Sequence, residues 1–423
     1  MSSKLGFMNK SRRLKDSLIA ASESILGRII VLTGARQVGK TTLLKNMFPD
    51  YTYLSLDDPS LRRDLANLTA DQWAKNFPKA ILDEVQKMPE LFDMIKAVYD
   101  KDGQERYILS GSSQILLLQK VKETLAGRCT IFEMFPLTLP EQLTQNGLET
   151  PTNSFFQQIL LDTSTESMPS FRLERGFESK LEAFEYYLKF GGYPSLIAHR
   201  LKEREKIVWL RDYVKTYLER DVRDLADFRR LEPFVAMQRV CASQTGQLVN
   251  YSSLAREAGI QSATAQKFLY YLSISYQIIM LSPWHKNKLK RLSKMPKLHF
   301  LDIGIQRTLT QNTSGILNGN EFETAVVSEI FKQAKSLEID CHFYHLRTND
   351  GREVDLLIEL EKGYIAIEIK QASHISQTDA RHLRQLEEIL DKPIIASFVL
   401  SNDYQVKELG ANIKAMHAAH FLT

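Results

Sequence analysis

Cysteine is scarce in this chain. Only Cys129, Cys241 and Cys341 occur in 423 residues, far apart and with no CxxC pair. A thiolate zinc site and a disulfide framework are excluded on that ground, and a reducing cytoplasm suits the composition. Long apolar runs are also missing, and no stretch reaches the length a membrane-spanning helix needs. The N-terminal MSSKLGFMNKSRRLKDSLIA carries charges but no continuous apolar core, so it reads as neither a signal peptide nor a membrane anchor. A strong charge of one sign is lacking too: 55 Lys and Arg stand against 51 Asp and Glu, a net of +4. A polyanionic partner must therefore be argued from local clusters. What is present, 43% apolar and 25% charged residues, fits a globular chain of about two to four domains.

The densest signal is RIIVLTGARQVGKTTLLKNMF. Arg28 to Thr33 reads as a short buried strand. Gly34 to Thr41 matches G-x-x-x-x-G-K-[ST], and Leu43, Leu44 and Met47 then recur with helical spacing. Gly34 and Gly39 let the loop through Ala35, Arg36, Gln37 and Val38 wrap phosphate oxygens with its N–H groups. Lys40, Thr41 and Thr42 open the following helix, whose dipole favours the same anion. Lys40 is expected to reach the β- and γ-phosphates of ATP, and the Thr41 hydroxyl to ligate Mg²⁺.

A second strand, KAILDEVQ, ends at Asp83 and Glu84. Asp83 is the candidate to hold Mg²⁺ through water, and Glu84 to polarise the attacking water. A third strand, RYILSGSS, offers Ser112 or Ser113 as a contact to the γ-phosphate or that water, with a plain Gly-Ser turn as the alternative. Arg128 follows Gly127 in LAGRCTIFEMFPLTLPEQL. It is a candidate arginine finger for a neighbouring subunit's nucleotide, or a surface arginine.

With these residues the chain resembles a bacterial and archaeal AAA+ ATPase group that carries a C-terminal domain of unknown function. The matching stretches are GARQVGKTTLL, YLSLDDP, AILDEVQKMPEL, YILSGSS and LAGRCTIFEMFPLT, continuing through FGGYPSL, YVKTYLERDV and KMPKLHFLDIGI. The resemblance implies an ATPase able to assemble into homo-oligomeric rings, hexameric ones included, with the finger acting between subunits. The Ser- and Thr-rich stretch from about Gly147 to Phe177 has no counterpart and reads as an insertion or exposed loop.

From Glu178 to Gln244 apolar residues recur every three or four positions, as in amphipathic helices interrupted at GGYP. This is where an AAA+ lid or connector would sit, with Arg220 or Arg223 as a nucleotide sensor or as ordinary surface charge. Next, QLVNYSSLAREAGIQSATAQKFLYYLSISYQIIMLSPW reads as two short helices around Gly259 followed by extended chain, the rhythm of a winged helix. HKNKLKRLSKMPK then has no acid among its basic residues. Lys286, Lys288, Lys290, Arg291 and Lys294 are candidates to lie along DNA phosphates, with Trp284 nearby to stack or pack. The alternative is a winged helix that contacts only protein.

Finally, GREVDLLIELEKGYIAIEIK reads as a strand–turn–strand hairpin. Strict alternation would put Val354, Leu356 and Ile358 on one face and Asp355 on the other. Glu368 and Lys370 oppose Ile365, Ile367 and Ile369, so Asp355, Glu368 and Lys370 can converge. Two carboxylates and the Ile369 carbonyl suit Mg²⁺, with Lys370 as the candidate catalytic lysine. Glu323, on the helical pattern GNEFETAVVSEIF, is the candidate further ligand, with Glu321 and Glu329 as rivals. The pattern resembles the PD-(D/E)XK restriction-endonuclease-like superfamily, with Val354 in place of proline. His345, Arg347 and Arg352 precede it as candidate phosphate contacts.

The expected fold is thus multidomain α/β. It runs from a P-loop AAA+ domain (1–146) through an insertion (147–177), a helical lid or connector (178–232) and a winged helix (233–304) to a nuclease-like domain (305–423). The expected function is Mg²⁺-dependent ATP hydrolysis coupled to DNA binding and remodelling or translocation, with branched DNA as the attractive substrate. The rivals are an ATP-gated endonuclease and a regulatory ATPase that remodels a protein partner.

Overall fold

The computed structural model describes residues 10–24, 28–101, 103–111, 114–162, 170–198, 201–218, 230–287, 291, 295–312, 316–348 and 351–423. Ser112, Ser113, Arg220, Arg223, Lys288, Lys290 and Lys294 lie outside them. The described residues form two compact units: one holds 12–136 and 216–218, the other 10–11, 137–215 and 230–423. No described helix is long and apolar enough to cross a membrane.

The first unit is built on a parallel five-stranded sheet. Its strands are β1 (Ile29–Thr33), β2 (Thr52–Ser55), β3 (Lys79–Asp83), β4 (Arg106–Gly111) and β5 (Cys129–Glu133), in the order β2-β3-β4-β1-β5. β1 is buried along its whole length, as a strand paired on both sides and covered on both faces must be. One core cluster joins Val31, Leu82 and Leu109 of the sheet to Trp73, Phe92 and Ile95 of the flanking helices. Thr33 pairs in register with Gly111 and with Glu133, and Asp83 with Ser110. The carboxyl ends of the strands therefore finish together, the edge at which open parallel sheets take ligands.

The second unit contains a nine-stranded mixed sheet. Its strands are β6 (Gln247–Leu248), β7 (Ile278–Pro283), β8 (Lys297–Phe300), β9 (His342–Arg347), β10 (Glu353–Leu360), β11 (Gly363–Ile369), β12 (Ile394–Ser401), β13 (Lys407–Gly410) and β14 (Ile413–His417). Their order is β13-β14-β12-β11-β10-β9-β7-β8-β6. β7 and β9 pair in parallel, Ser282 with Tyr344 and Pro283 with His345. The boundary expected at 304 thus falls inside one continuous sheet.

Two other segments depart from expectation. Residues 147–177 are not simply an exposed loop. Ser154 caps a short helix, Phe155–Leu160, by accepting from Gln157 N. Phe155 and Phe156 are buried in it, and Phe155 packs edge-on against Phe398 and Phe421. Aromatic burial outweighs the polar composition around it.

The helices Phe177–Phe190 and Glu203–Tyr213, expected as a lid or connector, belong to the second unit. The reason is polar as well as apolar. Buried Asp302 accepts N–H bonds from Gly192, Gly304 and Ile305, and Tyr187 donates to Ala325 O. The FGGYP and FLDIGI stretches are thus the two halves of one joint. A Cβ at Gly191 would lie 2.1 Å from Asp302 Oδ1, and Gly191 has φ +77°, so glycine is required on both counts.

Candidate functional site

In the first unit the P-loop leaves β1 and enters the helix Lys40–Met47. Gly34 has φ +147°, and a Cβ there would lie 2.1 Å from Met134 O. Gly39 has φ +99°, in the left-handed region that lets the loop turn into the helix. The loop is also tied from outside: Arg12, buried, donates to Phe135 O at 3.0 Å and to Val38 O. Sequence reasoning missed Arg12, because nothing about an arginine of the KSRRLK run, 26 residues before Val38, marks it as a loop brace.

Lys40 is 7% exposed, and its ammonium donates to Gly34 O at 2.6 Å and Ala35 O at 2.8 Å. These bonds fold the lysine back over the loop that is meant to hold phosphate. Thr41 Oγ1 donates to Asp83 Oδ2 at 2.7 Å, so the hydroxyl and the carboxylate expected to share a metal ion do meet. Tyr53 OH donates to the same oxygen at 2.8 Å. Burial, then the Asp83 carboxylate, drives the Tyr53 phenol well above its usual range, which keeps it a donor. Tyr53 carried no motif and was not anticipated, although it lies in the YLSLDDP stretch. Glu84 sits just past the strand at φ +57°, and its carboxylate accepts from the Gln86 amide.

Arg128 is not brought to its own chain's P-loop. It lies at the start of β5, at the amino ends of the strands, and forks onto Asp100 at 2.8 and 3.2 Å.

In the second unit the hairpin is interior. Every residue of β11 is buried. The pairing Leu356 with Ile367 sets the register. Strict alternation fails, however. A bulge against β9 lies between Val354 and Leu357, and Val354 joins Leu357, Tyr364 and Ala366 in one cluster instead of siding with Leu356 and Ile358. Asp355, Glu368 and Glu323 are all buried. Of the rivals, Glu329 is fully buried beside Lys332 at 2.8 Å and accepts from Leu139 N, whereas Glu321 caps the helix Gly319–Ser336 at Asn318 N.

The acidic group is answered by lysines. Lys297, at the start of β8, stands 2.6 Å from Glu323 Oε1, 3.4 Å from Asp355 Oδ1 and 3.8 Å from Glu353 Oε1. Asp355 Oδ2 accepts from Ile369 N at 2.9 Å, and Lys370 Nζ is 2.6 Å from Glu368 Oε1. Burial, reinforced by the Asp355 charge, pushes Glu323 up to about 8 and Glu368 up to about 7. Burial alone would lower the Lys297 ammonium, but Glu323 and Asp355 outweigh it and raise it. Among the described residues, no group of three or more His, Cys, Asp or Glu converges to hold a metal ion. The divalent ion that the nuclease resemblance implies does not fit this cluster as it stands, because a lysine lies between two of its ligands. Lys297 ends the basic stretch HKNKLKRLSKMPK, but the charge pattern gave no reason to single it out.

The basic candidates divide. Lys286 is exposed. Arg291 is buried: it donates to Glu359 at 3.0 Å, Tyr344 OH at 3.1 Å and His285 O at 2.7 Å, which removes it from the phosphate contacts. Trp284 packs instead of stacking on a ligand, with its indole N–H on Tyr364 OH at 2.9 Å. His345 is buried and held neutral, its pKa lowered to about 4 by desolvation. Arg352 caps the carbonyls of Arg384 and Gln385. Arg347 is exposed.

Three stretches of the chain match known family profiles. Residues 26–143 match the family profile of an AAA domain. Residues 181–315 match a domain of unknown function, DUF8612, and 318–421 another, DUF4143. The uncharacterized protein Rv2008c of Mycobacterium tuberculosis is 26% identical over 356 residues, covering 82% of this chain and 70% of its own. The uncharacterized protein MJ1637 of Methanocaldococcus jannaschii is 24% identical over 321 residues, 70% of this chain and 65% of its own. Among solved structures, the Walker-type ATPase PABY2304 of Pyrococcus abyssi is similar at TM-score 0.45 and 14% identity, covering 72% of this chain and 99% of its own. By its family matches the chain carries an AAA-type ATPase domain followed by two domains of unknown function.

Proposed function

We propose that this protein is a Mg²⁺-dependent ATPase that couples ATP hydrolysis to the binding and remodelling of DNA, acting as a homo-oligomer. The observation that carries the ATPase half is the meeting of Thr41 and Asp83 at 2.7 Å beside the P-loop. Those two residues would hold Mg²⁺, which supplies charge neutralisation at the phosphates. Lys40 would exchange its loop carbonyls for phosphate oxygens. Glu84, once released by Gln86, would orient the attacking water. Arg128 would leave Asp100 to serve a neighbour's nucleotide when subunits assemble.

The DNA half rests on the second unit. The helix Glu232–Ser243, β6, the helices Tyr251–Glu257 and Ser262–Ile274, then β7 and β8 follow one another in winged-helix order. β8 pairs antiparallel with both β6 and β7. The helix Ser262–Ile274 buries Ala265, Phe268, Leu269 and Leu272 and exposes Gln266, Lys267 and Tyr270. Amide, ammonium and phenol on the exposed face of the second helix suit a DNA groove. We read the sheet of β9 to β14 as a nuclease-like fold that serves as the platform for this grip.

The test is ATP hydrolysis measured alone and with linear, single-stranded and branched DNA, with Lys40→Ala as the control. Stimulation by DNA together with salt-sensitive gel shifts is expected. Hydrolysis indifferent to every DNA, with no shift at low salt, would overturn the DNA half and favour a protein partner. A wild-type chain that does not hydrolyse ATP would overturn the whole.

A further inference from the structure

The acidic cluster of the second unit contains a cation of its own. We propose that the Lys297 ammonium is the resident counter-ion of Glu323 and Asp355, standing where a nuclease centre would place a divalent metal. The inference depends on neither ATP hydrolysis nor DNA binding.

The distances carry it. Lys297 Nζ lies 2.6 Å from Glu323 Oε1 and 3.4 Å from Asp355 Oδ1, with its side chain 5% exposed. A Mg²⁺ ion bridging those carboxylates needs their oxygens at about 2.0–2.1 Å, the space the ammonium fills. Its charge would also repel the ion across a few ångströms of low-dielectric interior. The lysine cannot readily leave. It begins the strand between β6 and β7, paired with Leu248 on one side and Leu281 on the other. Removing it would take the cation away from Glu323 Oε1 and Asp355 Oδ1, both on buried carboxylates. The other oxygen of Asp355 is held by Ile369 N at 2.9 Å, and Glu368 by Lys370 at 2.6 Å.

The consequence is a change of role. The residues that resemble a phosphodiesterase centre act as an ionic joint that fastens β8 to the hairpin of β10 and β11. Metal-dependent cleavage of DNA is not its activity.

The experiment counts Mn²⁺ bound to the nucleotide-free full-length chain by the electron paramagnetic resonance of free Mn²⁺. Wild type and Asp355→Asn should bind the same number. Lys297→Met should bind one more per chain, and that extra ion should vanish in Lys297→Met/Asp355→Asn. A wild type that binds one Mn²⁺ more than Asp355→Asn overturns the proposal, and so does a folded Lys297→Met that gains none. If Lys297→Met does not fold, the wild type and Asp355→Asn still decide the matter.

Discussion

Two places in this molecule set lysine and carboxylate side chains together, and they treat charge in opposite ways. At the P-loop, Lys40 bonds to two loop carbonyls while Asp83 accepts from two hydroxyls. Those partners are neutral, so Asp83 can exchange them for a cation and Lys40 for a phosphate. In the acidic cluster, Glu323 and Asp355 face Lys297, and Glu368 faces Lys370. There each acid already lies against an ammonium group. A strand-end acid and a lysine are therefore not enough to identify a metal site; what neutralises the acid decides it.

Breaking the first region should have the largest effect. Lys40→Ala should lower ATP turnover by about 10²–10³-fold or more, as expected when a preorganised cation is removed from transferring phosphate. Glu84→Gln should retain ATP, measured by equilibrium binding, while losing on the order of 10²–10⁴ in turnover. Asp355→Asn and Glu368→Gln, by contrast, should leave ATPase turnover within about twofold, because they act on the joint and not on phosphate chemistry. A collapse of turnover in either would dissolve the comparison.

A second contrast lies in acid sensitivity. All nine histidines lie at or beyond position 199, whereas the first unit has none among its described residues. Burial lowers His345 and His417 to about 4 from 6.5. A depressed folded pKa gives stability that is fully present above 6.5 and is lost as pH falls toward 4. Each group accounts for at most roughly 3 kcal/mol. Peptide-level hydrogen exchange between pH 7 and pH 4 should therefore show residues 230–423 opening before 28–136. Simultaneous opening would count against this.

The smallest effect sharpens the reading of the basic stretch. Lys286→Ala should weaken DNA binding modestly and lower the salt slope by about one. Arg291→Met should lower the melting temperature, because Glu359 would keep only Lys392 and Tyr344 OH would lose its donor, and leave the salt slope unchanged.

Much of the fold was legible in the sequence where local rules coincide with it. The strand–loop–helix of residues 28–47, the strand ending at Asp83, and the cap and stop at Asn250 and Gly259 each follow from a few neighbouring residues. The meeting of Thr41 with Asp83 beside the loop that Lys40 closes was legible for the same reason. The helix at Phe155–Leu160 was hidden because the stretch around it is polar and its burial comes from Phe398 and Phe421, more than two hundred residues away. The packing of the helices read as a lid or connector was not legible, because helical periodicity reports an apolar face and not the surface that covers it.

The sequence by itself determined which residue types meet the backbone: the glycines that need positive φ, the hydroxyl and acids beside the phosphate loop, and the acid-x-lysine hairpin. Those properties are local, set by sterics and by spacing along a strand or helix. Only the tertiary structure decided that Arg291 and Trp284 are interior, that β7 joins β9 to make one sheet, and that Lys297 lies among the carboxylates. Each of these depends on a partner distant in sequence, and whether a charge is free to bind or already answered is a property of that partner.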